Sequence, residues 1–178
     1  MAPIQAVLVS SPDEDVVSSL TATLRDRWPT RTATSPDETT RSLDENVTVV
    51  VFDTAFAGLS LDDLAAMTTE QSPDAQVLQL GTSMDPNAGR ADAVLTHAAE
   101  TDTICSTVDR LQRRARYNRL LSRFYSLSRA RSERASENET DKSAQEIADI
   151  KCELDELAAA LDDEDLFDAA LGSTDGVP

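Results

Sequence analysis

Lysine is nearly missing from this chain. Of its 16 basic residues only Lys142 and Lys151 are lysines, against 33 acidic residues and a net charge of −17. Aromatic residues are also scarce, with four Phe, two Tyr and one Trp in 178 residues, so a core must be packed mainly from Val, Leu and Ala. The two cysteines, Cys105 and Cys152, stand 47 positions apart without Cys-x-x-Cys or Cys/His spacing. That excludes a disulfide framework or a zinc cluster and leaves two reduced, apolar side chains. No Ser/His/Asp, Cys/His or glycine-rich phosphate signature is present, so no hydrolase or nucleotide enzyme is expected. The lone His97 is expected to be exposed to solvent at a strand end. A basic segment followed by an apolar one is missing at the N-terminus, and so is any long apolar run. Neither a signal peptide nor a membrane span is expected, and the cytoplasm is the expected compartment.

What is there falls into three charge blocks. Residues 1–108 carry 5 bases and 17 acids, a net of −12. Residues 109–134 carry 9 Arg against Asp109 and Glu133, a net of +7, and residues 135–178 carry 2 bases and 14 acids, again −12. A uniform domain would not show such a shift.

The first block alternates strands and helices. Ile4–Val9 is an apolar run ended by Ser-Ser-Pro, and Val16, Val17, Leu20 and Leu24 then recur at helical spacing. A weak strand around Thr30–Thr34 leads to Ser35-Pro36, an N-cap with Pro at the first helical position. The strongest strand runs from Val47 to Asp53, and Ser60-Leu-Asp-Asp63 starts the next helix as a capping box. Gln76–Leu80 and Ala93–Leu95 complete five strands, with little room for a helix at 85–89. The expected fold is α/β, a doubly wound five-stranded parallel sheet. At the carboxyl end of its strongest strand stands Asp53, where open α/β sheets place their chemistry.

The second block reads as one continuous helix. Ile104, Val108, Leu111 and Ala115 form a stripe that docks on the sheet, and Tyr117, Leu120, Leu121, Phe124 and Leu127 form another on nearly the opposite side. Ile147, Ile150, Leu154, Leu157 and Leu161, spaced 3, 4, 3 and 4, form a heptad seam flanked by acids. An Arg-rich and an acid-rich helix joined by a polar turn predict an antiparallel hairpin or the halves of a dimeric coiled coil. The acidic residues 163–178 are expected to be disordered.

The passage Asp53-Thr54-x-x-x-Gly58-Leu59-Ser60 after a buried strand resembles the receiver domain of response regulators, of flavodoxin-like fold, over about residues 1–112. Arg116-Tyr117-x-x-x-Leu121 with the acidic helix after it resembles a HalX-type helical domain over 113–162. HalX domains belong to haloarchaeal receiver proteins, and many acids with few lysines resemble the proteins of salt-loving archaea, where concentrated salt screens self-repulsion. The resemblance implies a phosphoacceptor at Asp53, an acid pair that binds Mg²⁺ at Ser11 and Pro12, a switch hydroxyl at Gly81 with Thr82 and Ser83 beside it, and a Lys-Pro pair at Thr96-His97. Only Asp53 carries the family's residue. Asp13 and Glu14 are the nearest acids that a shifted loop could present, so Asp13 and Asp53 are the metal candidates. Mg²⁺ is implied only for a functional pocket.

The leading expectation is therefore a non-enzymatic signal-transduction regulator with a degenerate receiver, a pseudo-receiver that acts through protein contacts. Its interface candidates are Leu120, Phe124, Leu127, Ile147, Ile150, Leu154, Leu157 and Leu161, toward other regulators or a second copy. One alternative is a true receiver phosphorylated on Asp53 by a sensor kinase. The other is a DNA-binding regulator that contacts phosphates through Arg113, Arg114, Arg116, Arg119 and Arg123. DNA ranks below helix packing, because the acidic helix can neutralise the arginines in cis and molar salt weakens phosphate binding steeply. No membrane contact is expected.

Overall fold

The computed structural model describes residues 5–81, 91–133 and 140–161. The strand expected at Ile4–Val9 is β1 (Ala6–Ser10), followed by α1 (Glu14–Leu24), β2 (Thr30–Ala33), α2 (Pro36–Ser42), β3 (Val47–Asp53), α3 (Leu61–Gln71), β4 (Gln76–Gly81) and β5 (Ala93–Thr96). Two long helices follow, α4 (Thr101–Glu133) and α5 (Thr140–Ala160). The segment 85–89, the hydroxyls of Thr82 and Ser83 and the tail 163–178 lie outside the described residues. The chain divides into two compact units, Met1–Ala115 and Arg116–Pro178.

In the first unit the strands pair in parallel in the order β2-β1-β3-β4-β5. Alternation along β1 and β3 splits the core into two layers. Val7, Val9, Val49 and Val51 face Val17, Leu20 and Leu24 of α1 and Ile104, Val108 and Leu111 of α4. Leu8, Val50 and Phe52 face Leu43, Leu59 and Leu64 on the other side. A strand buried on both faces must be apolar at every position, which is why β3 reads as a continuous Val run. The alternation breaks once. Ala6 pairs with Val47 and Val7 with Val49, so Thr48 is an extra residue, a β-bulge. The bulge turns Thr48 to the α4 side, where its hydroxyl donates to Gln112 Oε1 at 2.6 Å.

Local caps set the helix starts. Asp13 Oδ1 accepts from the backbone N–H groups of Asp15 and Val16, Ser35 Oγ from Glu38, and Ser60 with Asp63 forms the full capping box. Gly58 has φ +85°, a left-handed turn between β3 and α3 that a Cβ would strain.

In the second unit α5 runs antiparallel to the part of α4 beyond Ala115. Arg116 pairs with Glu153 and Arg123 with Glu146, seven residues up one helix for seven down the other. Lys151 Nζ lies 5.6 Å from the centre of the Phe124 ring. Of the two arrangements expected for these helices, the structure has the hairpin within one chain.

Candidate functional site

Asp53 closes β3, paired with Leu80 of β4, and is 1% exposed. Both of its oxygens are engaged. Oδ2 accepts from the Ser11 hydroxyl at 2.7 Å. Oδ1 accepts from the Ala55 backbone N–H at 2.9 Å and lies 3.1 Å from His97 Nε2. Burial of the carboxylate raises its pKa, but the bonds from Ala55, Ser11 and His97 together outweigh that, and the carboxyl is held below its ordinary value.

Each partner arrives by a definable route. Ser11 follows β1 directly, itself 1% exposed, and its oxygen also accepts from the Asp13 backbone N–H at 3.1 Å. His97 follows β5, where its own N–H donates to the Gly81 carbonyl at 3.2 Å. Since β4 lies between β3 and β5, the imidazole spans the end of β4 to reach Asp53. As expected, His97 is exposed at the strand end, and its imidazole, 31% exposed, is also bonded to the strand-end carboxylate. His97 occupies the second place of the Lys-Pro pair, the proline's, and Thr96 the lysine's, so the imidazole reaches the carboxylate from one position beyond the place of a receiver's cation.

The exposed edge of His97 opens on a cleft of about 310 Å³ between α1 and the start of α4, with Asp15, Leu20, Thr96, Thr101 and Ile104 also on its walls. Asp53 does not line that cleft, so the imidazole stands between it and the carboxylate.

The donors do not fit Mg²⁺. A hard cation needs several oxygen ligands in a near-octahedral set. The acid-pair positions are Ser11, whose proton is spent on Asp53, and Pro12. Asp13 is exposed, and its Oδ1 caps α1. Among the described residues no group of three or more His, Cys, Asp or Glu is placed to share an ion. A Ser nucleophile is not assembled either: Ser11 donates to the carboxylate, and no imidazole acts on its hydroxyl.

The arginines separate. Arg114 is 8% exposed and pairs with Asp92 at 3.3 Å, so it is corrected from an interface residue to a buried partner within the sheet unit. Arg113 is exposed and paired with Asp109 on the same helix. Arg116 and Arg123 are paired with α5, and Arg119 is also engaged. Of the apolar candidates, Leu120, Ile150 and Leu161 are buried, whereas Phe124, Leu127, Ile147, Leu154 and Leu157 are half-buried. The first three are thus corrected to interior positions, and the rest remain partly open. Cys152 is exposed, unlike the buried Cys105.

No family model and no curated protein matches the sequence. Solved structures do match. The response regulator DrrB of Thermotoga maritima is 20% identical with a TM-score of 0.53, over 60% of this chain and 52% of its own. The chain therefore spans about half the length of DrrB. The chemotaxis protein CheY4 of Vibrio cholerae is 19% identical with a TM-score of 0.55, over 61% of this chain and 98% of its own. The response regulator TrrA of Thermotoga maritima, solved in complex with Mg²⁺–BeF, is 20% identical with a TM-score of 0.52, over 61% and 99%. The five-stranded unit has the flavodoxin-like fold of a response-regulator receiver domain. Among the described residues no helix is long and apolar enough to cross a membrane.

Proposed function

We propose that this chain is a non-enzymatic signal-transduction regulator whose receiver-like unit does not take a phosphoryl group. The observation that carries the reading is the engagement of Asp53: donors from Ser11, Ala55 and His97 occupy both of its oxygens, and Ser11 and Pro12 stand where an acid pair would hold a metal. Phosphoryl transfer needs an accessible acceptor oxygen and cations that neutralise the incoming charge. Here the acceptor is 1% exposed and already hydrogen-bonded.

In this reading the receiver unit is a scaffold in the cytoplasm, and output runs through protein contacts of the helical unit with other regulators, a sensor kinase among the candidates. The helical unit is assigned to the HalX type on Arg116-Tyr117-x-x-x-Leu121 and the acidic helix. A high-salt setting is supported by 33 acids against two lysines. DNA binding through the Arg-rich helix is disfavoured, because Arg114, Arg116 and Arg123 already have acidic partners in the same chain.

Incubation with a small phosphodonor and Mg²⁺, followed by intact-mass measurement, should leave the chain unmodified. A phosphoryl group found on Asp53 would overturn the reading.

A further inference from the structure

The cleft beside His97 lies wholly within the sheet unit, with α1 on one side and the start of α4 on the other. Val16, Leu20, Leu80, Ala99 and Ile104 give it an apolar lining. Ligand pockets span roughly 300–1,000 Å³, so a cleft of about 310 Å³ suits a small molecule. Its polar groups are uncommitted. Asp53 is held ionised at neutral pH, so the ring nitrogen facing it, Nε2 of His97, carries the proton. On the neutral ring Nδ1 is then an acceptor, and no group among the described residues donates to it. The hydroxyls of Ser19 and Thr23 on α1, and of Thr96 and Thr101 opposite, likewise make no hydrogen bond to the described residues. Helical hydroxyls elsewhere in the unit, such as those of Thr68 and Thr107, bond back to their own helix.

The charge around the cleft has one sign. Asp15 lines it, and Asp53 lies behind the imidazole. The wall segments 11–24 and 93–104 hold Asp13, Glu14, Asp15, Glu100 and Asp102 and no Lys or Arg. Such a field repels an anion and draws in a cation. We infer that this cleft binds a small organic cation, a primary ammonium group on a compact hydrocarbon body. An ammonium offers three donors and no acceptor, which matches an imidazole nitrogen, a carboxylate and hydroxyl oxygens. The hydrocarbon body covers the apolar lining, and the carboxylate behind the ring holds the imidazole in the accepting tautomer.

The inference goes beyond the protein-contact reading. It is tested on the ring of His97 and not on the mass of the chain, so either can fail alone. His97 is the only histidine, so its ring nitrogens give one unambiguous pair of NMR signals in the ¹⁵N-labelled full chain. At about pH 8, above the ordinary imidazole range, the free protein should show a protonated Nε2 and a bare Nδ1. Titration with butylammonium and benzylammonium should shift Nδ1 saturably, with a Kd of about 1 mM or below. Benzyl alcohol, the neutral analogue, and benzoate, the anion, should bind at least about tenfold more weakly. Asp15→Asn should weaken benzylammonium binding about threefold to tenfold. Ser19→Trp, at an exposed position on the α1 wall, should abolish it with circular dichroism unchanged. Glu70→Gln, exposed on α3, should leave it as it was. No saturable shift with either ammonium up to about 20 mM, far past the range of a weak site, overturns the proposal. So does benzoate bound as tightly as benzylammonium, or ammonium binding that survives both Asp15→Asn and Ser19→Trp.

Discussion

Asp53 shows how a carboxylate can keep its place in a fold while its surroundings change. Removing it leaves the Ser11 hydroxyl, the Ala55 N–H and the His97 ring facing each other without an acceptor, in a site that is 1% exposed. Asp53→Ala should therefore cost about 2–4 kcal/mol by chemical denaturation, the range for stranding buried partners of a charged group. Ser11→Ala removes one bond of that set and should cost less, about 1–2 kcal/mol. The pH dependence has a definite sign. The carboxyl is held below its ordinary value, so its contribution to stability is present above the usual carboxylate range and is lost as the pH falls through the folded value. Comparing the acid limb of the stability curve for the parent and Asp53→Asn should show a smaller loss in the variant. An identical acid limb would contradict the bonding at this residue. The location of Asp53 was legible in the sequence from the Val run and the turn after it. The engagement of His97 was not, because it depends on the order of strands, which brings β5 to the far side of β4.

At the level of elements, the caps and stripes were legible because they are local. Ser35-Pro36 and the Ser60–Asp63 box start helices where the spacing predicts, and Ile104, Val108, Leu111 and Ala115 are all buried. The bulge at Thr48 left no such trace: a Thr within a run of Val is unremarkable until the neighbouring strand shows the register shift. Its consequence is testable. Thr48 bonds Gln112 of α4 at 2.6 Å in a buried setting and also reaches the Ala6 carbonyl at 3.3 Å, so Gln112→Leu removes the shorter bond without stranding the hydroxyl and should destabilise the sheet unit by about 1 kcal/mol. The double change Thr48→Val with Gln112→Leu removes both partners and should cost less than the two single losses summed, measured as a double-mutant cycle. Additive losses would mean that the bond is immaterial. In the hairpin, the two ion pairs share one seven-residue step, so a slip of one to three residues would break both. Both pairs therefore match one alignment of α5 on α4.

For the whole molecule, the charge of −17 is unevenly carried. The +4 of residues 116–133 and the −4 of residues 140–160 cancel, so the entire excess lies outside the two hairpin helices. Salt at about 1 M shortens the screening length to ~3 Å and relieves repulsion where the excess sits. The melting temperature should rise with added KCl, and a flat or falling trend would remove the high-salt argument. The balance within the hairpin has a further consequence. Ionic strength acts as a selective dial, tightening the acidic sheet unit while the charge-neutral helices have no net repulsion to relieve. Amide exchange followed at low and high KCl should therefore slow in β1, β3 and β4 and change little along residues 144–160. In a chain of this composition, the hairpin is the segment whose net charge leaves salt no repulsion to relieve.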